Sequence, residues 1–591
     1  MHFGGSCVTE HGGFGRLRVA GFAAVVLAMA AALAIPAALY WWRNPELATA
    51  LSLLFTLAFF GCIFVLVRRT FLSLLIGLPA LGLNIIEIVH ILHFGGLVSL
   101  GGFEAILYVD PDEAREFAGD HAGAFLLGIA AVAVFCGLAV AKERLDSLTR
   151  RQRGSLAMVG LLVPLLLLLG DLVAFGSKRD VYLPTRIVEH YTALLGLNPL
   201  SHTISGLATT LAGRIDLARE ERDRQKYKFR AARLRPRAAQ ELYIVVIGES
   251  ARRRNFSLYG YLRPTNPHLS SLSNLVVYRD AVSPATMTSN SLPLSFSLPA
   301  GTSRYDLAQR TRSFLAVFRS VGFKTYWITN QGTHRSAVGN RIAELMRDAD
   351  VERSTNYGFW HTVLDEALLP ELDLALRDPA PRKLIVLHTL GSHTNYRQRY
   401  PAAWEAKPFA LAAREVHTIR GIDAAEAATV DEYDRSIMYT DWLLSEVVRR
   451  HADTGQYGAV IYLSDHGQRL YDDRRKQKGH GFGDFNLRDI QVPLLVWTSD
   501  VFNALNADKR RRIEANAVLP VTTANLFASM LDLAGIGAEG VAPGDSFFSG
   551  SHVDNPRQVL TMDDAVIDYA VPGVPTLAVR PSGLKAAQHG D

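Results

Sequence analysis

The chain of 591 residues is 49% hydrophobic and carries a net charge of +5 at pH 7, with a pI near 9.0. That is enough for a membrane region plus one large soluble domain with its own core, and the charge does not imply nucleic acid, because many basic residues fall in short loops between apolar runs or between Arg214 and Arg237. The cysteines are Cys7, Cys62 and Cys136, so disulfides, zinc–thiolate centres and thiol catalysis are excluded from the rest of the chain.

Nearly unbroken apolar runs cover Val19 to Trp41, Leu47 to Val67, Phe71 to Leu92, Ala122 to Val140 and Ser155 to Phe175. Each approaches the ~20 residues that a helix needs to cross the hydrocarbon core. The first run is too long for a secretory signal and no small-residue cleavage site follows it, so it reads as a retained anchor. Lys and Arg stay on the cytoplasmic side of a membrane. Arg16 and Arg18, then Arg68 and Arg69, then the group from Lys142 to Arg153 flank alternate spans, and the acidic loop from Glu104 to Asp120 falls between them. The amino terminus is therefore expected inside, and everything after Phe175 outside the cytoplasm, so the soluble half is expected to face the periplasm or the cell exterior.

The third run carries Asn84, Glu87 and His90 at intervals of three, which drift slowly around one helix face. Ionisable residues inside a span are costly and usually functional. Asn84 and Glu87 are therefore candidate substrate contacts for a lipid headgroup, with a polar contact between helices as the alternative.

Residues 1–175 form the expected membrane domain, 176–240 a bridge. Val181 to Leu197 and Pro199 to Leu211 are amphipathic, either lying along the outer membrane face or packing between two domains. The basic stretch from Arg214 to Gln240 reads equally as helical surface beside anionic membrane lipids and as a solvated linker helix.

From Glu241 onward short apolar runs alternate with helical patterns, the signal of an α/β domain with a mainly parallel central sheet, here expected over 241–575 with a flexible tail at 576–591. Strands are predicted at Leu242 to Ile247, Lys324 to Ile328, Leu384 to Leu387, Ala459 to Leu463 and Pro493 to Trp497. Helices are predicted at Arg312 to Val321, Tyr433 to Arg450 and Thr522 to Ala534. Glu249, His393 and the pair Asp465-His466 each come just past the carboxyl end of a predicted strand, the edge where open α/β sheets collect ligands. With Thr288 and His480 they make a carboxylate and imidazole set without thiolate, which suits zinc or manganese acting as a Lewis acid in hydrolysis or group transfer.

Several longer stretches carry a resemblance. They are Ile247-Gly248-Glu249-Ser250-Ala251-Arg252 running on to Tyr261, Thr265-Asn266-Pro267, Thr286-Met287-Thr288-Ser289-Asn290, Trp327-Ile328-Thr329-Asn330-Gln331, Gly391-Ser392-His393, Tyr433-Asp434-Arg435-Ser436 and Ser464-Asp465-His466-Gly467. In these the chain resembles the alkaline phosphatase superfamily, and within it the membrane-bound phosphoethanolamine transferases that decorate lipopolysaccharide in diderm bacteria. The resemblance implies one zinc ion held by Glu249, Asp465, His466 and the Thr288 hydroxyl. Thr288 would be the nucleophile. His393 and His480 would bind substrate phosphate, transfer protons or hold a second metal. Asn330 and Gln331 are candidate substrate contacts. The implied donor is phosphatidylethanolamine and the acceptor lipopolysaccharide, on lipid A or an inner-core sugar.

The chain departs from many of these relatives in having Gln468 where a glutamate commonly follows Asp-His-Gly, and in lacking disulfides. Sulfate ester hydrolysis is disfavoured, because Ser291-Leu292-Pro293-Leu294-Ser295 lacks the arginine of a formylglycine signature. A phosphoglycerol transferase of similar layout and a catalytically inactive membrane-anchored binding module are the remaining alternatives.

Overall fold

The computed structural model describes residues 10–43, 47–94, 122–156, 226–234, 238–298, 311–331, 341–356, 363–405, 409–416, 421–472, 476–482, 485–552, 557–562, 565–571 and 574–576, with isolated positions between them. The residues fall into two compact units, one comprising 1–103 and 117–210 and the other 104–116 and 211–591.

The first unit is helical: α1 (Glu10–Leu33), α2 (Ile35–Arg43), α3 (Leu47–Leu66), α4 (Thr70–Phe94) and α5 (Ala122–Leu145). Three of its helices, over Thr49–Leu66, Thr70–Leu92 and Leu126–Leu145, are long and apolar enough to cross a membrane. The first predicted span is not one straight helix. It bends by 56° between α1 and α2, and counts as a fourth span if the pair is taken together. Pro36 accounts for the break, since it has no N–H to donate and its ring crowds the carbonyl four residues back. All but a few residues of the fifth predicted span lie outside the described residues, as do the amphipathic stretch 181–197, the first part of the basic stretch at 214–223 and the tail after Thr576.

The end of the bundle that carries the basic loops is tied by buried polar contacts. The Lys142 ammonium donates to the Phe64 carbonyl at 3.3 Å and to Ser73 Oγ at 2.8 Å, and Arg153 Nη1 donates to the Val65 carbonyl at 2.7 Å. The short α3–α4 turn and the chain after α5 thus share one end of the bundle, as the alternation of loop charge requires.

The second unit is built on a seven-stranded sheet. Its strands are β1 (Glu241–Gly248), β2 (Leu275–Tyr278), β3 (Lys324–Thr329), β4 (Val351–Ser354), β5 (Arg382–His388), β6 (Tyr457–Ser464) and β7 (Leu494–Thr498), in spatial order β2-β7-β6-β1-β5-β3-β4. Only β7 runs against its neighbours. The sheet is therefore mixed, with a parallel centre. β1 and β6 are buried at every position, as strands covered on both faces must be, which is why they read as continuous apolar runs.

Alternation along the strands builds two cores. Tyr243, Val245, Ile247, Trp327, Val386 and Ile461 face one layer, packed against α6 (Thr288–Phe296), α7 (Phe314–Ser320) and α10 (Leu526–Ala534). Leu242, Ile244, Val246, Ile328, Ile385 and Val460 face the other, against α8 (Leu368–Arg377) and α9 (Ala424–Asp453). Burying each such aliphatic or aromatic side chain stabilises by about 1.5–3 kcal/mol. α9 starts earlier than its apolar periodicity suggests because of a capping box: Glu426 N donates to Asp423 Oδ1 at 2.9 Å, and Asp423 N to Glu426 Oε2 at 2.7 Å.

Candidate metal centre

The site follows from register. β1 lies between β5 and β6, parallel to both, with Ile247 opposite His388 and Gly248 opposite Ser464. The residues that come next, Glu249 and Asp465, therefore leave the sheet side by side. The chain after β5 crosses directly over Glu249, which Gly391 permits: a Cβ there would lie 2.8 Å from Glu249 N and 2.9 Å from its carbonyl oxygen, and its φ is +52°. Ser250 holds a left-handed φ of 56° without being glycine. Three hydrogen bonds hold it there: its N–H donates to Asp465 Oδ1 at 3.0 Å, its hydroxyl to Glu249 Oε1 at 2.7 Å, and its carbonyl accepts from Tyr433 at 2.7 Å. Backbone strain of this kind persists where surrounding structure over-determines it.

Thr288, the first residue of α6, completes the group. Its Oγ1 lies 2.6 Å from Asp465 Oδ2, 3.2 Å from Glu249 Oε2 and 3.2 Å from His466 Nε2. His466 Nε2 is also 3.4 Å from Glu249 Oε1 and 3.3 Å from Asp465 Oδ2. One ligand atom from each of Glu249, Asp465 and His466 falls within 4.8 Å of the others, and all three residues are buried. His466 Nδ1 meets the Gly467 carbonyl at 2.8 Å, which makes Nδ1 the protonated nitrogen and directs the Nε2 lone pair inward.

Burial and the Asp465 charge push the Glu249 carboxyl well above the usual carboxylate range. Two buried carboxyl groups side by side with an imidazole nitrogen and a hydroxyl form a donor set of oxygen and nitrogen alone. A tetrahedral divalent cation with oxygen and nitrogen preference, zinc above all, fits that set.

The flanking residues divide. Gln331 Nε2 donates to Glu249 Oε2 at 3.3 Å and to the Thr389 carbonyl at 2.8 Å, so it braces a ligand. His393 is half-buried, and its charge eases the ionisation of Glu249. The His480 ring packs against His466 with centroids 3.9 Å apart and the planes tilted by 41°. Burial and its neighbours His466, His393 and Arg469 hold His480 well below the ordinary imidazole range, so it is neutral. Its Nδ1 lies 2.9 Å from Gln468 Oε1, and the Gln468 amide in turn donates to Tyr396.

Asn330 is not brought to the cluster. Its amide donates to the Val363 carbonyl at 2.7 Å and Asp365 Oδ1 at 2.9 Å. Asp365, which sequence reasoning missed, accepts Leu390 N at 2.7 Å and Gly391 N at 2.8 Å and so fixes the loop that leads to His393. No local pattern marks it, because its partners come from two other strand ends. Asn84 and Glu87 belong to the helical unit. Asn84 Nδ2 donates to the Leu33 carbonyl at 2.9 Å, and Glu87, fully buried, accepts Val98 N at 3.2 Å and Thr203 Oγ1 at 2.7 Å, with His202 Nδ1 at 3.2 Å.

The remaining resemblance segments support the site from behind. Asp434 accepts Asn255 Nδ2 at 2.6 Å, Tyr261 at 2.7 Å and Arg263 Nη1 at 2.7 Å. Tyr433 accepts Arg252 N at 2.9 Å. Asp434→Ala leaves Arg263 with Asp431 as its remaining carboxylate partner, at 2.7 Å, but removes the acceptor shared by Asn255, Tyr261 and Arg263, and is expected to cost about 1–3 kcal/mol in urea denaturation; a loss below about 0.5 kcal/mol would show that the network is dispensable.

A sulfatase family model matches residues 241–536, half of the chain. The chain belongs to the sulfatase family. It is 29% identical over 335 residues to phosphoethanolamine transferase EptC of Escherichia coli, covering 55% of this chain and 56% of that protein, so the chain spans about half the length of the curated relatives it matches. The crystal structure of the periplasmic domain of Escherichia coli EptC is 27% identical and superposes with a TM-score of 0.51 over 56% of this chain and 93% of that one; the same domain is also known in complex with Zn. The membrane protein lipooligosaccharide phosphoethanolamine transferase A of Neisseria meningitidis is 17% identical and shares the fold over 90% of this chain and 97% of its own, with a TM-score of 0.62. The fold shared with that protein thus covers an α/β unit preceded by membrane-type helices.

Proposed function

We propose that the protein is a zinc-dependent transferase of the bacterial inner membrane, with its α/β unit in the periplasm, that moves phosphoethanolamine from phosphatidylethanolamine to lipopolysaccharide, on lipid A or an inner-core sugar. The observation that carries this reading is the placement of the Thr288 hydroxyl within 3.2 Å of Glu249, Asp465 and His466. The relatives named phosphoethanolamine transferases and the zinc complex of one such domain support it.

In the first step Thr288 Oγ1 attacks phosphorus, the bond to the diacylglycerol oxygen breaks, and phosphoethanolamine is left on the threonine. Asp465, 2.6 Å away, takes the hydroxyl proton as Oγ1 attacks and returns it when Thr288 leaves in the second step. Glu249, Asp465, His466 and the Thr288 hydroxyl would hold a zinc ion, which would supply positive charge to acidify the hydroxyl and offset charge on the phosphoryl oxygens. His393 protonates the departing alkoxide, then takes the proton of the acceptor hydroxyl as that oxygen attacks phosphorus and Thr288 leaves. Neutral His480, held by Gln468, faces the phosphoryl group as a hydrogen-bond partner.

Mass spectrometry of envelope glycolipid from cells with and without the protein tests the reading. One or more phosphoethanolamine units are expected on lipopolysaccharide only when the active protein is present. A phosphoglycerol mass would select the phosphoglycerol transferase instead, and modified periplasmic glucan with unchanged lipopolysaccharide would move the acceptor off the membrane.

A further inference from the structure

Behind the metal centre the described residues carry a dense group of arginines that the chemistry above does not use. Arg252 is buried and pairs with Asp472, and Arg488 Nε lies 3.8 Å from the other oxygen of the same carboxylate. Arg253 Nη1 pairs with Asp280 at 3.2 Å, and Arg557 shares that aspartate at 3.0 Å. Arg279 Nη1 donates to the Leu258 carbonyl at 2.8 Å. Arg253 N donates to the Gln491 carbonyl at 3.0 Å, which ties the Arg252–Arg254 turn to the short helix Leu487–Ile490 that bears Arg488. Arg254 is half-buried and makes no ion pair or hydrogen bond among the described residues. Four of these six arginines thus share two aspartates, and Arg254 and Arg279 have no carboxylate partner among the described residues.

An ordinary solvated surface disperses like charges or interleaves them with acids. Here the backbone holds them together and partly out of water. The consequence is visible at Arg488, which burial and the charges of Arg252, Arg254 and Arg253 push down to about 10. A bound anion with more than one negative charge would relieve both the repulsion and the desolvation. Phosphate suits guanidinium in particular, because its oxygens match the planar fork.

The group also has a fixed relation to the reaction. Gly467, the residue after the ligand pair Asp465 and His466, packs directly on the Arg488 carbonyl, with Arg252 Cβ 3.4 Å from where its own Cβ would stand. A phosphate at Arg254 and Arg488 would therefore stand beside the turn that carries Asp465 and His466, whereas neither arginine is among the hydrogen-bond partners of Thr288. The donor phosphate has to meet Thr288. A second, distant phosphate belongs to a larger polyanion.

We infer that Arg254 and Arg488 dock a phosphate group of the glycolipid acceptor while another part of that molecule reaches Thr288. The inference rests on the phosphoethanolamine-transfer reading and names how its acceptor is held.

The test uses the full chain in detergent, as wild type, R254A/R488A and R254K/R488K. Each is first loaded with phosphatidylethanolamine, and the Thr288 peptide is weighed. Loading of the alanine double variant within about twofold of wild type shows that the site is folded. Its KM for lipopolysaccharide is then expected to rise roughly tenfold or more, with kcat at saturating acceptor nearly unchanged and a shallower dependence of KM on salt. The lysine variant should recover part of the loss, since it restores charge without the fork. An unchanged KM in a normally loaded alanine variant overturns the inference, as does a rise confined to the donor. Wild-type protein that never loads Thr288 would instead defeat the transfer reading. In that case direct binding of purified lipopolysaccharide decides the docking: equal binding by wild type and R254A/R488A refutes it, and roughly tenfold weaker binding by the variant upholds it.

Discussion

Thr288→Ala is expected to abolish transfer, by on the order of 10⁴-fold or more, because removing a nucleophile leaves only positioning and electrostatics to act. The fold should survive. Thr288 is half-buried at the first position of α6, and alanine is tolerated at a helix start where no side-chain cap depends on it. Thr288→Ser keeps the hydroxyl and should retain measurable activity, reduced by the freer rotamer of a side chain without the γ-methyl. Incubation with phosphatidylethanolamine should add a phosphoethanolamine mass to the Thr288 peptide of the wild type and the serine variant and never to the alanine variant. Full activity of Thr288→Ala would sink the covalent mechanism and turn attention to direct transfer between lipids.

The hydroxyl is singled out by convergence, which explains why the sequence reveals some parts of the site and hides others. Glu249 and Asp465-His466 are legible because each follows a strand that is apolar at nearly every position, and β1 and β6 then prove to be neighbours in register. The edge strands are less legible. β2 is apolar throughout, Leu-Val-Val-Tyr, but only four residues long, and β4 reads Val-Glu-Arg-Ser, with nothing apolar after its first position. The strand character of β4 comes from pairing with β3, which composition does not report.

Roles that depend on a distant partner are likewise invisible in one dimension. Asn330 stands beside Gln331 in the chain just past the end of β3, but Gln331 bonds to Glu249 and Asn330 to Asp365. Gln468 stands out as a departure from related sequences; only the structure gives it a task, joining Tyr396 to His480. In the helical unit, apolar length identifies the spans that are described, whereas the break at Ala34 follows from a single proline inside an otherwise favourable run.

Removing any one of the carboxylate or imidazole ligands should reduce metal and activity together. In Glu249→Ala, Asp465→Ala and His466→Ala the donor set loses a first contact, so zinc measured by atomic emission should fall well below one equivalent. Stability should fall as well when metal is chelated from the wild type, since metal that binds only the folded chain stabilises it by about 4 kcal/mol at a thousandfold excess over Kd. Proton competition gives the sign of the pH dependence. Glu249 is held well above the ordinary carboxylate range without metal, so binding a cation there displaces a proton, and zinc affinity should weaken as pH falls. His393→Ala and His480→Ala make the contrast. Neither ring contributes to the ligand cluster of Glu249, Asp465 and His466, so both variants should keep most of one zinc while losing transfer. If either sheds all its metal, that histidine belongs among the ligands, and its proposed work in proton transfer or phosphate binding has to be reassigned.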